Sequence, residues 1–340
     1  MKVLKFGGTS VASPQNIRKL VKIVSQKSQT SKVTVVVSAF GGVTDALIGL
    51  SELAQSGNFS YQEAFETLKK RHQSTVEELL LEGEQKEECF LLVESLFEEL
   101  KDILHGVFLV RELSPKTLDF ISGFGERLSA YIIAQAFIQH GEKANFVDSR
   151  KLIVTDEEFG NAKVDFSISN SNILRHFANS QGIQVFAGFI SSSKTGQSTT
   201  LGRGGSDYTA AILAAALQAD VLEIWTDVSG MLTADPRKVK KAFPIAQISY
   251  QEALELSYFG AKVLYPPSIQ PVYQKNIPIL IKNTFEPEAE GTLISTDAKL
   301  AERPMRGWSA IKNIAWLNLS GNGMVGITGI SMRLFGALGR

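Results

Sequence analysis

A mostly parallel α/β sheet, covered by helices on both faces, is the fold class that this sequence predicts. Three observations carry it. Short, continuously apolar runs rich in β-branched residues recur along the chain, as strands buried on both faces require. Helical patterns separate them, so successive strands can lie parallel with crossover helices between. Glycine-rich or polar stretches stand where the predicted strands end, which is where ligands gather in open α/β sheets.

The elements follow in order. "VLKF" (3–6) reads as the first strand, followed by "SPQNIRKLVKIVSQKS", in which Ser13 suits an N-cap and Pro14 the first helical position. "VTVVVS" (33–38) is the second strand. Residues 60 to about 112 break the rhythm and predict two charged amphipathic helices turning near Gly83, an insertion for packing or dimerisation. His72 and His105 lie in it without metal-ligand spacing and read as solvated or structural. "QVFAGFI" (184–190), "VLEIWTD" (221–227) and "IPILIKNT" (277–284) are further strands, with "GERLSAYIIAQAFIQHG" and "SDYTAAILAAALQ" as helices. "NTFEPEAEGTLIS" and "DAKLAERPMRGWSA" then read as a linker, "IKNIAWLNLS" as a strand and "ITGISMRLFGALGR" as a helix.

Composition bounds the function. Hydrophobic residues make up 44% and charged residues 21% of the chain, as in ordinary globular proteins. Lys+Arg and Asp+Glu both number 35, so bulk charge favours neither nucleic acid nor an anionic membrane, and any anion must be held by local groups. Cys89 is the only cysteine, which leaves no internal disulfide and no Cys-rich zinc site. The N-terminus lacks a long apolar core of the signal-peptide kind, and the richest apolar stretch is broken by Gln218 and Asp220. A cytosolic protein is expected.

Five stretches carry chemistry: "KFGGTS" (5–10), "SAFGGVT" (38–44), "TTLGRGGSD" (199–207), "WTDVSGMLTADPR" (225–237) and "FGAKVLYP" (259–266). In the first, Gly7 and Gly8 let backbone N–H groups approach phosphate oxygens and Lys5 adds a mobile charge; a tight turn with a solvated lysine is the plainer alternative. In the second, Ser38 ends a strand, and Thr44 either meets a ligand or only caps the next helix. In the third, glycines bracket Arg203, whose planar fork suits a carboxylate or phosphate. Ser206 and Asp207 then open a helix, where Asp207 could do no more than complement the dipole. Thr226 and Asp227 could bond a ribose or base and Arg237 a phosphate, while Asp235-Pro236 reads as a turn. "GNGMVG" (321–326) matches a dinucleotide fingerprint, but only 14 residues remain beyond it and none is acidic, so the supporting context is missing.

Taken together these stretches resemble the aspartokinases of the amino-acid kinase family over nearly the whole chain. "SYQEALELSYFGAKVL" and "LNLSGNGMVGITGISMRLFGALGR" resemble the bifunctional aspartokinase–homoserine dehydrogenases more closely still. The resemblance implies a three-layer αβα amino-acid kinase fold with two lobes, the acceptor on residues about 1–200 and nucleotide on about 201–300. Residues 301–340 would be a linker and the start of an ACT-type regulatory region, with a βα tail and no dehydrogenase, unresponsive to threonine or lysine. It implies ATP and Mg²⁺ as cofactors and L-aspartate as acceptor, giving 4-phospho-L-aspartate, the first step toward lysine, threonine and methionine. A homodimer or higher homo-oligomer is expected.

Residue by residue, the resemblance makes Lys5, Asp207 and Lys262 catalytic and gives Thr44, Glu126, Phe189, Arg203 and Ser206 to the acceptor. Lys5, Gly7, Gly8, Ser38, Thr226, Asp227, Arg237, Lys262 and Val263 go to the nucleotide. Arg203 suits an α-carboxylate and Glu126 an α-ammonium. Leu232 and Tyr265 depart from the family pattern, which has a tyrosine and a histidine there. A kinase for another amino acid, like glutamate 5-kinase, and a catalytically silent amino-acid sensor remain as alternatives.

Overall fold

The computed structural model describes residues 1–340 except 260–262, 297–306, 312–313, 316, 319, 321–327 and 339–340. Residues Met1–Ser309 form one compact unit and Ala310–Arg340 a second.

In the first unit an eight-stranded sheet runs β3 (Ala144–Val147), β5 (Ile183–Ala187), β2 (Val33–Val37), β1 (Lys2–Phe6), β8 (Val221–Thr226), β10 (Ile279–Asn283), β11 (Thr292–Ser295) and β9 (Gln247–Ser249). Pairing is parallel from β3 through β10; β11 turns antiparallel to β10, and β9 is parallel to β11. A three-stranded sheet holds β4 (Val154–Thr155), β6 (Ile190–Ser193) and β7 (Ser198–Thr200).

Side chains alternate across the strands and divide the core in two. Leu4 and Phe6 of β1, Val35 and Val37 of β2 and Val185 of β5 join one cluster. Val3, Val36 and Phe186 join the other. The first face is covered by α1 (Pro14–Ser28), α2 (Val43–Ser56), α3 (Ser60–Leu79), α4 (Glu84–Val110), α5 (Pro115–Ser122) and α6 (Phe124–Gln139). The second is covered by α7 (Phe166–Asn179), α8 (Gly205–Ala216), α9 (Tyr250–Tyr258) and α10 (Gln270–Gln274). Three layers result, and Lys5, in phase with Val3, faces α8.

Ser13 caps α1 as its position predicts, its hydroxyl accepting from the Asn16 N–H at 3.3 Å. The helical insertion is α3 and α4, joined through Gly83, and its apolar stripe (Phe65, Leu68, Val93, Phe97) is part of the first core cluster. Burial also sets its cysteine: the Cys89 thiol is pushed up to about 12 and held as an inert apolar group.

Two expectations are corrected. The run 184–190 is two strands in different sheets, because Phe189 takes a left-handed turn (φ 69°) and its N–H donates to Thr209 Oγ1 at 3.0 Å. In the second unit, the helix over 327–340 is present as α11 (Ile330–Leu338), but no strand occurs among the described residues of 311–320. A strand needs a hydrogen-bonding neighbour, and no other strand lies among the described residues there. The fingerprint-like 321–326 falls outside the described residues.

Candidate active site

The carboxyl ends of β1, β2 and β8 lie side by side, which brings three of the glycine-rich or polar stretches to one edge of the sheet. The β1 loop is tied to β8 where the Gly7 N–H donates to the Trp225 carbonyl at 3.0 Å, and to β2 where the Ser38 N–H donates to the Phe6 carbonyl at 3.2 Å. Loops 7–12 and 38–42 then touch so closely that a side chain at Gly41 would press on its neighbours. A Cβ on Gly41 would stand 3.2 Å from both the Gly8 carbonyl oxygen and the Ala12 Cβ.

Between these loops and the start of α8 lies a cavity of about 350 Å³. Lys5, Gly8, Ser38, Thr44, Glu126, Phe189, Ser206 and Asp207 all border it, so eight of the residues expected at the site are assembled from five separate places in the chain. Two helix N-termini meet it as well. Gly42 and Gly204, the N-caps of α2 and α8, both take left-handed backbone (φ 81° and 72°) and neither helix has a side-chain cap. Their first-turn N–H groups and positive dipole ends suit an anion. Thr44 therefore stands inside α2, beyond the cap position, and the capping alternative is excluded.

Two carboxylates in the cavity have opposite settings. Lys5 Nζ meets Asp207 Oδ1 at 2.6 Å, with the side chains only 12% and 14% exposed. Contact is an ion pair off the line of a well-directed hydrogen bond. Asp207 thus does more than complement the α8 dipole: it fixes the position of the Lys5 charge. Glu126, from the first turn of α6, is 3% exposed. Its Oε1 accepts from the Ala39 N–H at 3.1 Å, while Oε2 is buried with no partner. Desolvation pushes this carboxyl up to about 8, against the pull of the Ala39 hydrogen bond. A buried carboxylate oxygen without a partner is costly, and a cation in the cavity would satisfy it.

Other expected residues lie apart. Arg203 is exposed, its guanidinium 5.5 Å from the Tyr265 ring centre, and does not border the cavity. Thr226 ends β8 with its hydroxyl on Asp227 Oδ1 at 3.2 Å, beyond the cavity rim. Arg237 is 86% exposed and bound to Asp235 at 3.0 Å, so Asp235 holds a cation as well as making a turn. Val263 packs against the second core cluster. Leu232 bridges to Pro244 in an antiparallel pair. Lys262 lies outside the described residues.

Sequence reasoning passed over Asp119. Buried in α5, it accepts from the N–H groups of Gly160 and Thr200 on Oδ2, both at 2.9 Å, and from the Thr200 hydroxyl on Oδ1 at 2.8 Å. It thereby anchors the strand end from which the Gly202–Gly205 loop departs. The available signal was an acid set among the apolar residues of "TLDFIS". Among the described residues no group of three or more His, Cys, Asp or Glu could hold a metal ion, and no helix is long and apolar enough to cross a membrane.

Comparison with known proteins identifies a family for this chain. The amino acid kinase family matches residues 1–283. The chain is 37% identical over 344 residues to bifunctional aspartokinase/homoserine dehydrogenase 2 of Arabidopsis thaliana, covering 99% of this chain and 37% of that protein. It is 35% identical over 343 residues to the bifunctional enzyme of Buchnera aphidicola, covering 100% of this chain and 42% of that one. The chain thus spans 37% to 42% of the length of these two relatives. Among solved structures, E. coli aspartokinase III with lysine and aspartate superposes with a TM-score of 0.81 at 31% identity, covering 100% of this chain and 74% of that one. The same enzyme with aspartate and ADP gives 0.80 at 33% identity, covering 90% and 67%.

Proposed function

The chain belongs to the amino acid kinase family, and on that premise we propose that it is an aspartate kinase. It transfers the γ-phosphoryl group of ATP to the side-chain carboxylate of L-aspartate, giving 4-phospho-L-aspartate and ADP. One observation carries the reading: a cation fixed by a carboxylate (Lys5–Asp207) and a buried, unsatisfied carboxylate oxygen (Glu126) face the same small cavity. The first suits a phosphoryl group and the second an amino acid's ammonium. E. coli aspartokinase III, similar over 90% of this chain, holds aspartate and ADP.

A carboxylate oxygen of aspartate attacks the γ-phosphorus, and the bond from that phosphorus to the bridging oxygen breaks, leaving ADP. The nucleophile is already ionised at neutral pH, so no general base is needed, which accords with a site without histidine. Catalysis is then positioning and neutralisation of charge. Lys5 and the N–H groups at Gly8 and at the starts of α2 and α8 take the transferring oxygens. Glu126 takes the α-ammonium, with Thr44, Phe189 and Ser206 shaping the acceptor pocket. Arg203 turns from the Tyr265 ring to the α-carboxylate. Residues about 201–300 take the nucleotide, with Thr226, Asp227, Arg237, Lys262 and Val263 along it. Mg²⁺ would arrive with ATP, held mainly by phosphate oxygens and water with Asp45 or Asp207 nearby, and would supply further charge neutralisation.

An ADP-release assay with aspartate, glutamate and acetylglutamate in parallel tests the reading. ADP should form with aspartate alone. Turnover with glutamate or acetylglutamate instead would assign a different acceptor, and none with any would leave a sensor.

Glu126 gives the site a pH signature. With its carboxyl pushed up to about 8, the empty site is protonated at neutral pH, whereas the bound ammonium requires the carboxylate. Aspartate KM should therefore fall as pH rises toward 8, by up to about tenfold per unit, and then level off. Stability moves the other way. Below the ordinary 4.5 both folded and unfolded states hold the proton; between 4.5 and about 8 only the folded state does, so stability falls as pH rises through that window. Melting temperatures of the native protein and Glu126→Gln across pH 5 to 9 check this. A constant difference between them would contradict the assignment.

A further inference from the structure

The helical insertion does more than fill the core. We propose that α3, through the adjacent residues Arg71 and His72, positions the two glycine loops of the active site, so that residues 60–110 act in acceptor recognition. Neither residue touches the cavity; both are positioning residues. The proposal rests on the aspartate-kinase reading above for the ligand whose binding it concerns.

Successive residues on a helix diverge by about 100°, so Arg71 and His72 can reach two different loops from one turn. Arg71, half-buried, donates from Nη2 to the Ala12 carbonyl at 3.1 Å, at the end of the phosphate-side loop. The same helix grips α1 one step further on, where Glu78 Oε1 accepts from Gln15 Nε2 at 2.8 Å and Arg18 Nη1 at 3.0 Å. His72 is fully buried and stacks on Phe40 with ring centres 5.0 Å apart and planes inclined by 17°. Phe97 of α4 closes on its edge at 5.3 Å. Phe40 lies in the acceptor-side loop, between Ala39, whose N–H holds Glu126, and Gly41, which abuts Gly8. Fixing the Phe40 ring therefore fixes the peptide that orients Glu126.

The state of His72 suits this task. Its Nδ1 lies 2.9 Å from the Leu68 carbonyl, which only a protonated Nδ1 can bond, leaving Nε2 as a bare, buried acceptor. Burial and the neighbouring Arg71 push the ring down to about 4, so it is neutral across the working range and its stacking does not vary with pH there. A buried polar ring with one orphan nitrogen is poorer core material than phenylalanine. The flat ring stacked on Phe40 carries the positioning, and the bond to Leu68 satisfies one of its two nitrogens.

The test uses His72→Ala, His72→Phe and Arg71→Met in the full chain, read by amide hydrogen exchange and by steady-state kinetics. In His72→Ala, exchange at Phe40–Thr44 should speed up at least about tenfold while 199–207 stays as it was. Aspartate KM should rise about tenfold with ATP KM within about twofold, since a small displacement of a positioned group costs rate and affinity steeply. His72→Phe should restore both. Arg71→Met should speed exchange at Gly8–Ala12 and lower kcat. Should His72→Ala fail to fold, exchange in Arg71→Met decides. Unchanged exchange in these loops, acceleration spread evenly over the first core cluster, or a His72→Phe variant as impaired as His72→Ala would each overturn the proposal. Exchange is read without turnover. If the unmodified chain makes no ADP with aspartate, the function falls while the positioning claim is still decided.

Discussion

Lys5→Ala is expected to lower kcat by about a thousandfold or more, with the Kd for ATP changed by no more than about threefold. The reason is where the charge is needed. In phosphoryl transfer the transition state is loose, and its equatorial oxygens need a fixed cation in a site shielded from water. Lys5 is held for this by Asp207 at 2.6 Å, at 12% exposure, on the face of β1 that looks at α8. Adenine, ribose and the remaining phosphates should be held by residues further along the chain, so ground-state binding survives. The substitution also strands Asp207 beside the sheet without its cation, so melting temperature must be followed in parallel. Single-turnover rates at saturating ATP decide. A folded Lys5→Ala protein that turns over at near the native rate would remove Lys5 from the chemistry and with it the reading of "KFGGTS".

Glu126→Gln and Arg203→Ala should each weaken aspartate far more than ATP, but by different routes. Glu126 is buried with a free Oε2, so exchanging its charge for an amide removes a desolvated ammonium–carboxylate pair, a loss on the order of 2–5 kcal/mol. Arg203 is exposed and stacked near Tyr265, so binding must bring it in from solvent. Its loss should cost less, on the order of 1–3 kcal/mol, and should relax selection for the α-carboxylate. Competition by aspartate analogues lacking either the amine or the α-carboxylate separates the two: each variant should cease to distinguish the analogue missing its own partner. If both variants raise the KM for ATP and leave aspartate unchanged, the acceptor and nucleotide sides are reversed.

The strands that could be read from the sequence share one property. β1, β2, β8 and β10 lie inside the sheet and carry apolar runs, with Lys5 and Glu223 the charged residues in them, so burial on both faces is written in "VLKF", "VTVVV", "VLEIW" and "ILI". The edge strand β3 and the short β4, β7 and β9 carry no such signal, because one neighbour or a few residues suffice to form them. The run 184–190 misleads for a related reason. Its apolar character continues through Phe189, but the chain turns there on a contact with Thr209 twenty residues away.

The site divides in the same way. "KFGGTS", "SAFGGVT" and "GRGGSD" announce themselves, since glycine beside a charge or hydroxyl at a strand end is a local requirement of a close anion contact. Glu126 carries no local mark, and only the resemblance brought it forward. Its setting depends on Ala39, 87 positions away, and on the burial that leaves one oxygen unpaired. Asp119 and the pair Arg71–His72 were illegible for that reason too, since each acts on a loop brought to it by packing. By itself the sequence determined the layered α/β fold and which glycine-rich loops stand at the strand ends, because backbone conformation and apolar period are properties of neighbouring residues. Only the tertiary structure decided which loops share one cavity, which carboxylate is paired and which is left open, and that a helical insertion reaches the site. Desolvation and contact are set by residues distant in the chain, and no local pattern encodes them.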